Sequence, residues 1–519
     1  MIILGIKPME SDIIVVGGGP CGHLSALLLG RLGIKTILLE KHPQVLNHPK
    51  AMGITARTAE IMRQIGLLEN MLDGCMSEHP DAVSQWIKGG LNGELLGQTR
   101  PISNINPYSP CTSFHCPQPH IEKVLREAVA LCPSVTSLHG AKVTDLSQDA
   151  ESVTATFEIN GVTQSVTGQY LVAADGDQSF VRNHLEIERY GPGEIGRFLS
   201  VYFKANFAEH IKGRLAYLSN ILGDDWFEVF VAVNGTDHWL MQHYLSEGEF
   251  ADQYDPQIMQ AIIRKTAGLP ELDVEVISIS PWVMSPAIAR QWRQGRVFLV
   301  GDAAARVSPS GGLGMNNGLQ SAHNLAWKLS QVIHGSATHT LLDSYQAERL
   351  PAARFTFENS TDNANEIFDI VTAAFSGDWH KAQDLISQSR RAGAGYGQDF
   401  GITYESNALV PDGSAATAPT DKINVYIEQA RPGHRAPLFA LQTAGQQLNS
   451  IDLAGYRFIA WLGCDATPDL FGNICPTATV LIENQDFEPD RKDWKSVFGI
   501  SNHGGVLVRP DGYVYARVP

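Results

Sequence analysis

Gly17, Gly19 and Gly22, followed 18 positions later by Glu40, have the types and spacing to hold a dinucleotide. Gly17 permits a tight turn, Gly19 lets the backbone approach a pyrophosphate, and Gly22 allows a helix to pack closely on a strand. The helix that follows offers free amides and the positive end of its dipole. A carboxylate at Glu40 can accept both ribose hydroxyls. This chemistry needs a strand–turn–helix–strand frame. Residues 12–16 read as a strand buried on both faces, His23 to Arg31 as an apolar helix, and Lys35 to Leu39 as a second strand. Pro20, Cys21 and Lys41 lie within the same binding element. These residues alone leave FAD and NAD equally open.

Two later segments also end an apolar strand in an acid beside a glycine. Residues 169–182 read QYLVAADGDQSFVR, with Asp175-Gly176 after the strand. Residues 296–329 read RVFLVGDAAARVSPSGGLGMNNGLQSAHNLAWKL, with Gly301-Asp302 and then a glycine-rich loop that opens a long helix. The first resembles the DGxxSxVR motif of the class A flavoprotein aromatic hydroxylases, the p-hydroxybenzoate hydroxylase and phenol hydroxylase group. The second resembles the same family's GD motif and its PxGGxGxNxGxxxAxNLxWKL continuation.

That resemblance implies FAD as cofactor and NAD(P)H as a transient co-substrate. It places Asp175 and Gly176 near the pyrophosphate, Asp302 on the ribityl chain, and the backbone of Gly314, Met315 and Asn316 at the pyrimidine end of the flavin. A helix N-terminus there suits the negative charge of reduced flavin, and glycines at 311, 312 and 314 let a flat ring approach. Pro309 is expected to wall the pocket beside the flavin. The segment HPKAMGITARTAEIMR, residues 48–63, resembles the family stretch in which an arginine–alanine pair meets the pyrophosphate. Here Lys50-Ala51 stands in that place, and a lysine lacks the bidentate fork of arginine. Arg57 either shares that task or is an exposed helix arginine. Gln118 matches a family glutamine that contacts FAD. Ala305 replaces a histidine common after the GDAA run.

The implied activity is hydroxylation of a small aromatic molecule, phenolic or polycyclic, with O2 through a flavin C4a-hydroperoxide. Such a cofactor carries the difficult chemistry, which accounts for the lack of a triad or carboxylate pair. Catalytic side chains are therefore unassigned. Tyr202, His238, His243 and Tyr244 are candidates to share a phenol's proton, and each could equally be a packed core residue. Alternatives on the same scaffold are Baeyer–Villiger, epoxidising or N-hydroxylating oxygenation, or a non-catalytic FAD-binding subunit.

The fold expected is α/β. A Rossmann-like FAD-binding domain occupies 1–182, with part of 75–115 contributing to the substrate sheet. An inserted mixed β-sheet substrate domain follows at 183–290. The FAD-binding domain continues with long helices through 291–400, and a C-terminal thioredoxin-like domain without CxxC fills 401–519, as in the polyketide-hydroxylase branch. Strands are expected at Phe198 to Phe207, Trp226 to Val233, His238 to Tyr244 and Val274 to Met284. The glycine run GAGYGQDFG has no strand before it and is not a second nucleotide motif.

Bulk properties agree. The chain has 519 residues, 44% hydrophobic and 18% charged, enough for a large core. A net charge of -16 argues against a nucleic-acid partner. Seven scattered cysteines suit neither a disulfide framework nor a metal site. No apolar run is long enough for a membrane span. A cytoplasmic enzyme is expected, with room for a homodimer.

Overall fold

The computed structural model describes residues 9–45, 48–76, 82–101, 105–207, 210–211, 214–491 and 493–519. At its centre lies a six-stranded sheet in the order Arg293–Gln294, Val297–Leu299, Tyr170–Ala173, Ile13–Val16, Thr36–Glu40, Val135–His139. The last five strands run parallel. The four inner parallel strands are apolar and buried almost throughout, because helices cover both faces of a parallel sheet, whereas the edge strand Val135–His139 is partly exposed. Parallel strands bring their carboxyl ends to one edge. Gly17, Glu40, Asp175 and Gly301 thus gather there, although up to 284 positions separate them in the chain.

A second, seven-stranded sheet has the order Glu275–Met284, Gly196–Lys204, His238–Leu245, Phe227–Ala232, Ala216–Leu222, Ala82–Lys88, Glu94–Pro101. It is mixed, since Ala216–Leu222 pairs in parallel with Ala82–Lys88. The four expected strands form to within three residues at either end. Period-two alternation makes the sheet two-faced. Leu199, Val201, Phe203, Trp239 and Met241 pack beneath the helix Pro256–Ala267. Tyr202, Leu218, Val229, Val231 and Leu240 take the opposite face with Met52.

The helices Gly314–Ile333, Asp343–Phe375 and Trp379–Ser387 follow. GAGYGQDFG holds only a short helix, Tyr396–Phe400, with no strand before it. A four-stranded sheet then forms in the order Thr479–Ile482, Ile459–Leu462, Gly505–Val508, Val514–Val518. Its first two strands are parallel and the rest antiparallel. Among the described residues no helix is long and apolar enough to cross a membrane.

Buried charges join this last sheet to the body. Glu60, fully buried, receives Arg57 at 2.6 Å and also pairs with Arg435. Glu348 receives Lys328 at 2.7 Å and Arg509 at 2.7 and 2.9 Å, and Arg509 also donates to Asp511 at 2.9 Å. Asn324 and Ser406 each donate a further hydrogen bond to the same two oxygens of Glu348, at 2.7 Å. A dry ion cluster holds best when charges balance and lone pairs are filled, and around Glu348 two cations, Lys328 and Arg509, face two anions, Glu348 and Asp511. Tyr404 stacks on Tyr513 at 4.1 Å beside the same cluster.

Candidate cofactor and active site

The three acid-and-glycine segments lock into one another. A Cβ on Gly17, where φ is +101°, would lie 2.3 Å from Ala174 O, so the first turn sits hard against the strand end that carries Asp175. A Cβ on Gly22 would lie 1.8 Å from Gly17 O, which forces glycine at the first turn of the helix Pro20–Arg31. Arg182, buried, donates to Ala303 O at 3.2 Å and Asp177 O at 2.8 Å, tying the second segment to the third. A Cβ on Gly318 would come 2.5 Å from Cys21 Sγ and 3.0 Å from Gly301 Cα, tying the third to the first.

Several groups at this junction are left for a ligand. The helices Pro20–Arg31 and Gly314–Ile333 begin at Gly19 and Leu313 without a side-chain cap, so their first amides lack intrahelical partners. Asp175 Oδ2 accepts Val181 N at 3.0 Å, while Oδ1 is buried without a hydrogen-bond partner among the described residues. Beside Gly19 and Gly176 the space a Cβ would take is empty of protein. Glu40 accepts the Gly18 amide and the His42 amide, the latter at 2.6 Å, which fixes its carboxylate at the strand end. Asp302 is open to solvent on the cleft side but enclosed by protein behind. That enclosure pushes its carboxyl up to about 6, and Asp177 adds to the effect. Orphan amides, a carboxylate fixed at the strand end and an unpaired buried oxygen fit an FAD molecule.

A strap, residues 48–55, crosses between this junction and the seven-stranded sheet. Asn316, 2% exposed, donates to Gly53 O at 2.9 Å and Gly312 O at 2.8 Å, and it accepts Thr55 N at 2.9 Å. Gln118 exchanges hydrogen bonds with Ala51, at 2.9 Å from its own amide and 3.2 Å to its side-chain oxygen. Its role here is to hold the strap. Lys50 is exposed and acts electrostatically on Asp302 and Glu122. Gly311 and Gly312 adopt φ of +119° and +69°, as the loop before the helix requires. Pro309 is exposed and accepts the Gly312 amide at 3.0 Å; Met315 is half-buried against the core, and Lys41 is exposed.

Two expected roles shift. Arg57 is no exposed helix arginine: it is 3% exposed, and its guanidinium is taken by Glu60 and by Asp511 O at 2.5 Å. It faces the C-terminal sheet because Glu60, one turn on, draws it there. Cys21 fills the gap between Gly301 and Gly318, and burial, with Asp302 beside it, pushes its thiol far above the usual range. It is a protonated packing group.

The candidates for sharing a phenol's proton also separate. His243 lies on the helix-covered face, bonded to the buried Glu228 at 2.7 Å. Tyr202 lies on the open face with Met52 and Leu240. His238 sits at the strand end, bonded to Asp237 at 2.7 Å. Tyr244 is 41% exposed and packs against Phe198. Not anticipated is a polar row on the open face: Trp282 Nε1 donates to Gln242 Oε1 at 2.9 Å, and Gln242 Nε2 to Ser200 Oγ at 3.0 Å. His48, from the strap, lies 3.1 Å from Ser200 Oγ and 2.8 Å from Ser278 Oγ. Strand alternation places Ser200 with Tyr202, so half of this row could have been read from the pattern.

These interlocked turns define a dinucleotide-binding flavoprotein. The family model described as "FAD binding domain" matches residues 10–360. Tetracenomycin A2 monooxygenase-dioxygenase of Streptomyces glaucescens is 31% identical over 545 residues, covering 98% of this chain and 93% of that protein. Aklavinone 12-hydroxylase RdmE of Streptomyces purpurascens is 27% identical over 533 residues, covering 98% and 95%. The fold is similar to that of the flavin-dependent monooxygenase PieE, solved in complex with FAD and substrate. That match has a TM-score of 0.92 and 26% identity, covering 99% of this chain and 96% of that one. The chain belongs to this FAD-binding-domain family.

Proposed function

We propose that the protein is an FAD-dependent monooxygenase that hydroxylates a flat phenolic or polycyclic aromatic substrate, with NAD(P)H as reductant and O2 as the oxygen source. The observation that carries this reading is the strap. It links the FAD junction, through Asn316 and Gly53, to a sheet face that is apolar along Leu218, Val229, Val231 and Leu240 and polar along Ser200 and Gln242. A flat molecule with an oxygenated edge fits such a surface. FAD, when bound, supplies the electron-transfer and oxygen-activating chemistry that side chains lack. The chain's own task is to orient the ring, exclude water and move a proton. The named activities of relatives, monooxygenase-dioxygenase on tetracenomycin A2 and hydroxylase on aklavinone, support the substrate class.

Asp302 is assigned to the ribityl chain, Glu40 to the adenosine ribose, and Lys50 to the pyrophosphate. The C-terminal sheet is assigned as a thioredoxin-like unit, its strand order and directions being the support. A single cysteine, Cys464, follows the strand Ile459–Leu462, so the role of this unit is structural.

The test is NAD(P)H oxidation by the flavin-loaded protein with and without 1,8-dihydroxyanthraquinone, using isotopically labelled dioxygen. Substrate-stimulated oxidation and one labelled oxygen on the ring are expected. A protein that retains no flavin, or a product oxygen drawn from water, overturns the reading. A ring-expanded ester would move it to Baeyer–Villiger chemistry.

A further inference from the structure

Trp282, Gln242, Ser200, His48 and Ser278 form one unbroken hydrogen-bonded chain from the open sheet face to the strap. Its direction is fixed at one end. An indole N–H can only donate, so Gln242 Oε1 accepts and its amide nitrogen must donate to Ser200. Ser200 keeps one proton and one lone pair for His48 and for whatever stands in the cleft. A neutral imidazole has one donor and one acceptor nitrogen. With a serine hydroxyl on each nitrogen, a change of tautomer carries a proton from one serine to the other while the ring stays in place.

The surroundings keep that ring an acceptor. His48 is half-buried, and burial followed by the Lys50 charge holds its imidazole below the usual value. Tyr202 faces it edge-on at 6.2 Å, its own phenol pushed up by burial with Asp237 adding. Among the described residues, its two nitrogens hydrogen-bond to Ser278 and Ser200.

We propose that Ser200, His48 and Ser278 are a proton relay for the hydroxyl group of the substrate. The substrate O–H bond breaks and its proton passes to Ser200 Oγ as the Ser200 proton moves to His48 Nε2. The electron pair stays on the substrate oxygen, and the imidazole hands its Nδ1 proton to Ser278 as Ser278, half-buried, releases its own proton to solvent. A phenol losing its proton becomes the better nucleophile. Trp282 and Gln242 are positioning residues that fix which way Ser200 points. The relay deepens the hydroxylase reading above and rests on it.

The test uses the flavin-loaded full chain with 1,8-dihydroxyanthraquinone and its dimethyl ether as probes. In His48→Ala, kcat for the phenol is expected to fall about 100-fold, within the usual range for acid–base groups. KM should change little, the acidic limb of the kcat–pH profile should vanish, and added imidazole should restore rate. Ser200→Ala, which leaves the ring in place, should show the same loss without imidazole rescue. Without turnover, the colour change of the bound phenol on deprotonation should move to higher pH in both variants, and the dimethyl ether should show no such titration. An unmoved titration midpoint, or a kcat–pH profile like that of the unaltered protein, overturns the relay. Absence of hydroxylated product from the unaltered protein overturns the hydroxylase reading instead.

Discussion

Replacing Arg509 by methionine keeps the volume of the side chain and removes its charge from a region where Lys328, Glu348 and Asp511 are each at most 3% exposed. Two cations and two anions balance there now. The substitution leaves one uncompensated negative charge and strips Glu348 of hydrogen bonds at 2.7 and 2.9 Å and Asp511 of two, one of them at 2.9 Å. Removing one partner of a buried ion pair costs about 3–5 kcal/mol. At about 2–4 °C per kcal/mol for a mid-sized cooperative unit, the melting temperature should fall by roughly 10 °C. Thermal melts followed by tryptophan and flavin fluorescence read this. Adding Glu348→Gln to Arg509→Met removes the stranded charge and should recover at least ~1 kcal/mol. A loss below ~1 kcal/mol for Arg509→Met, or no recovery in the double variant, would refute the idea that a dry, balanced cluster joins the two regions.

Asn316→Ala removes two hydrogen bonds to the strap, each at 2.9 Å, and one to Gly312 O at 2.8 Å. At about 1 kcal/mol each, FAD should bind roughly 100-fold more weakly by equilibrium dialysis, with the circular dichroism unchanged. Equal affinity would show that the strap does not shape the site. Acid sensitivity follows from His23, His115 and His323, all buried and held neutral to about 4 by desolvation. The unfolded chain binds more protons between about 6.5 and 4, so stability rises with pH through that window and is lost on acidification. Urea melts of the apoprotein should lose several kcal/mol from pH 7 to pH 4, and His115→Phe should flatten part of that slope. A flat profile would contradict neutral burial.

The cofactor junction was legible because each part is local. A buried strand, a turn that only glycine can make and a helix start fall within a dozen residues, and the parallel sheet then brings three such units to one edge. The second sheet was legible through its alternation. Arg57 was misjudged because its neighbours in sequence say nothing of Asp511, 454 positions away. Glu60 and Arg435 are separated by 375 positions, and no periodicity encodes such a pair. His48 escaped notice because its partners, Ser200 and Ser278, lie on two different strands more than 150 positions on. Local rules find elements, whereas long-range polar chains depend on how the elements stack.

The split ownership of the buried charges bears on how the molecule is made. Glu60 and Glu348 leave the ribosome early, and Arg435 and Arg509 are added much later. Before those arginines dock, Glu60 has only Arg57 and Glu348 only Lys328 as cationic partner among the described residues, so each acid lacks part of its final set of hydrogen bonds. Docking of the C-terminal sheet thus completes the hydrogen bonding of both acids, which couples its folding to that of the helices beneath it.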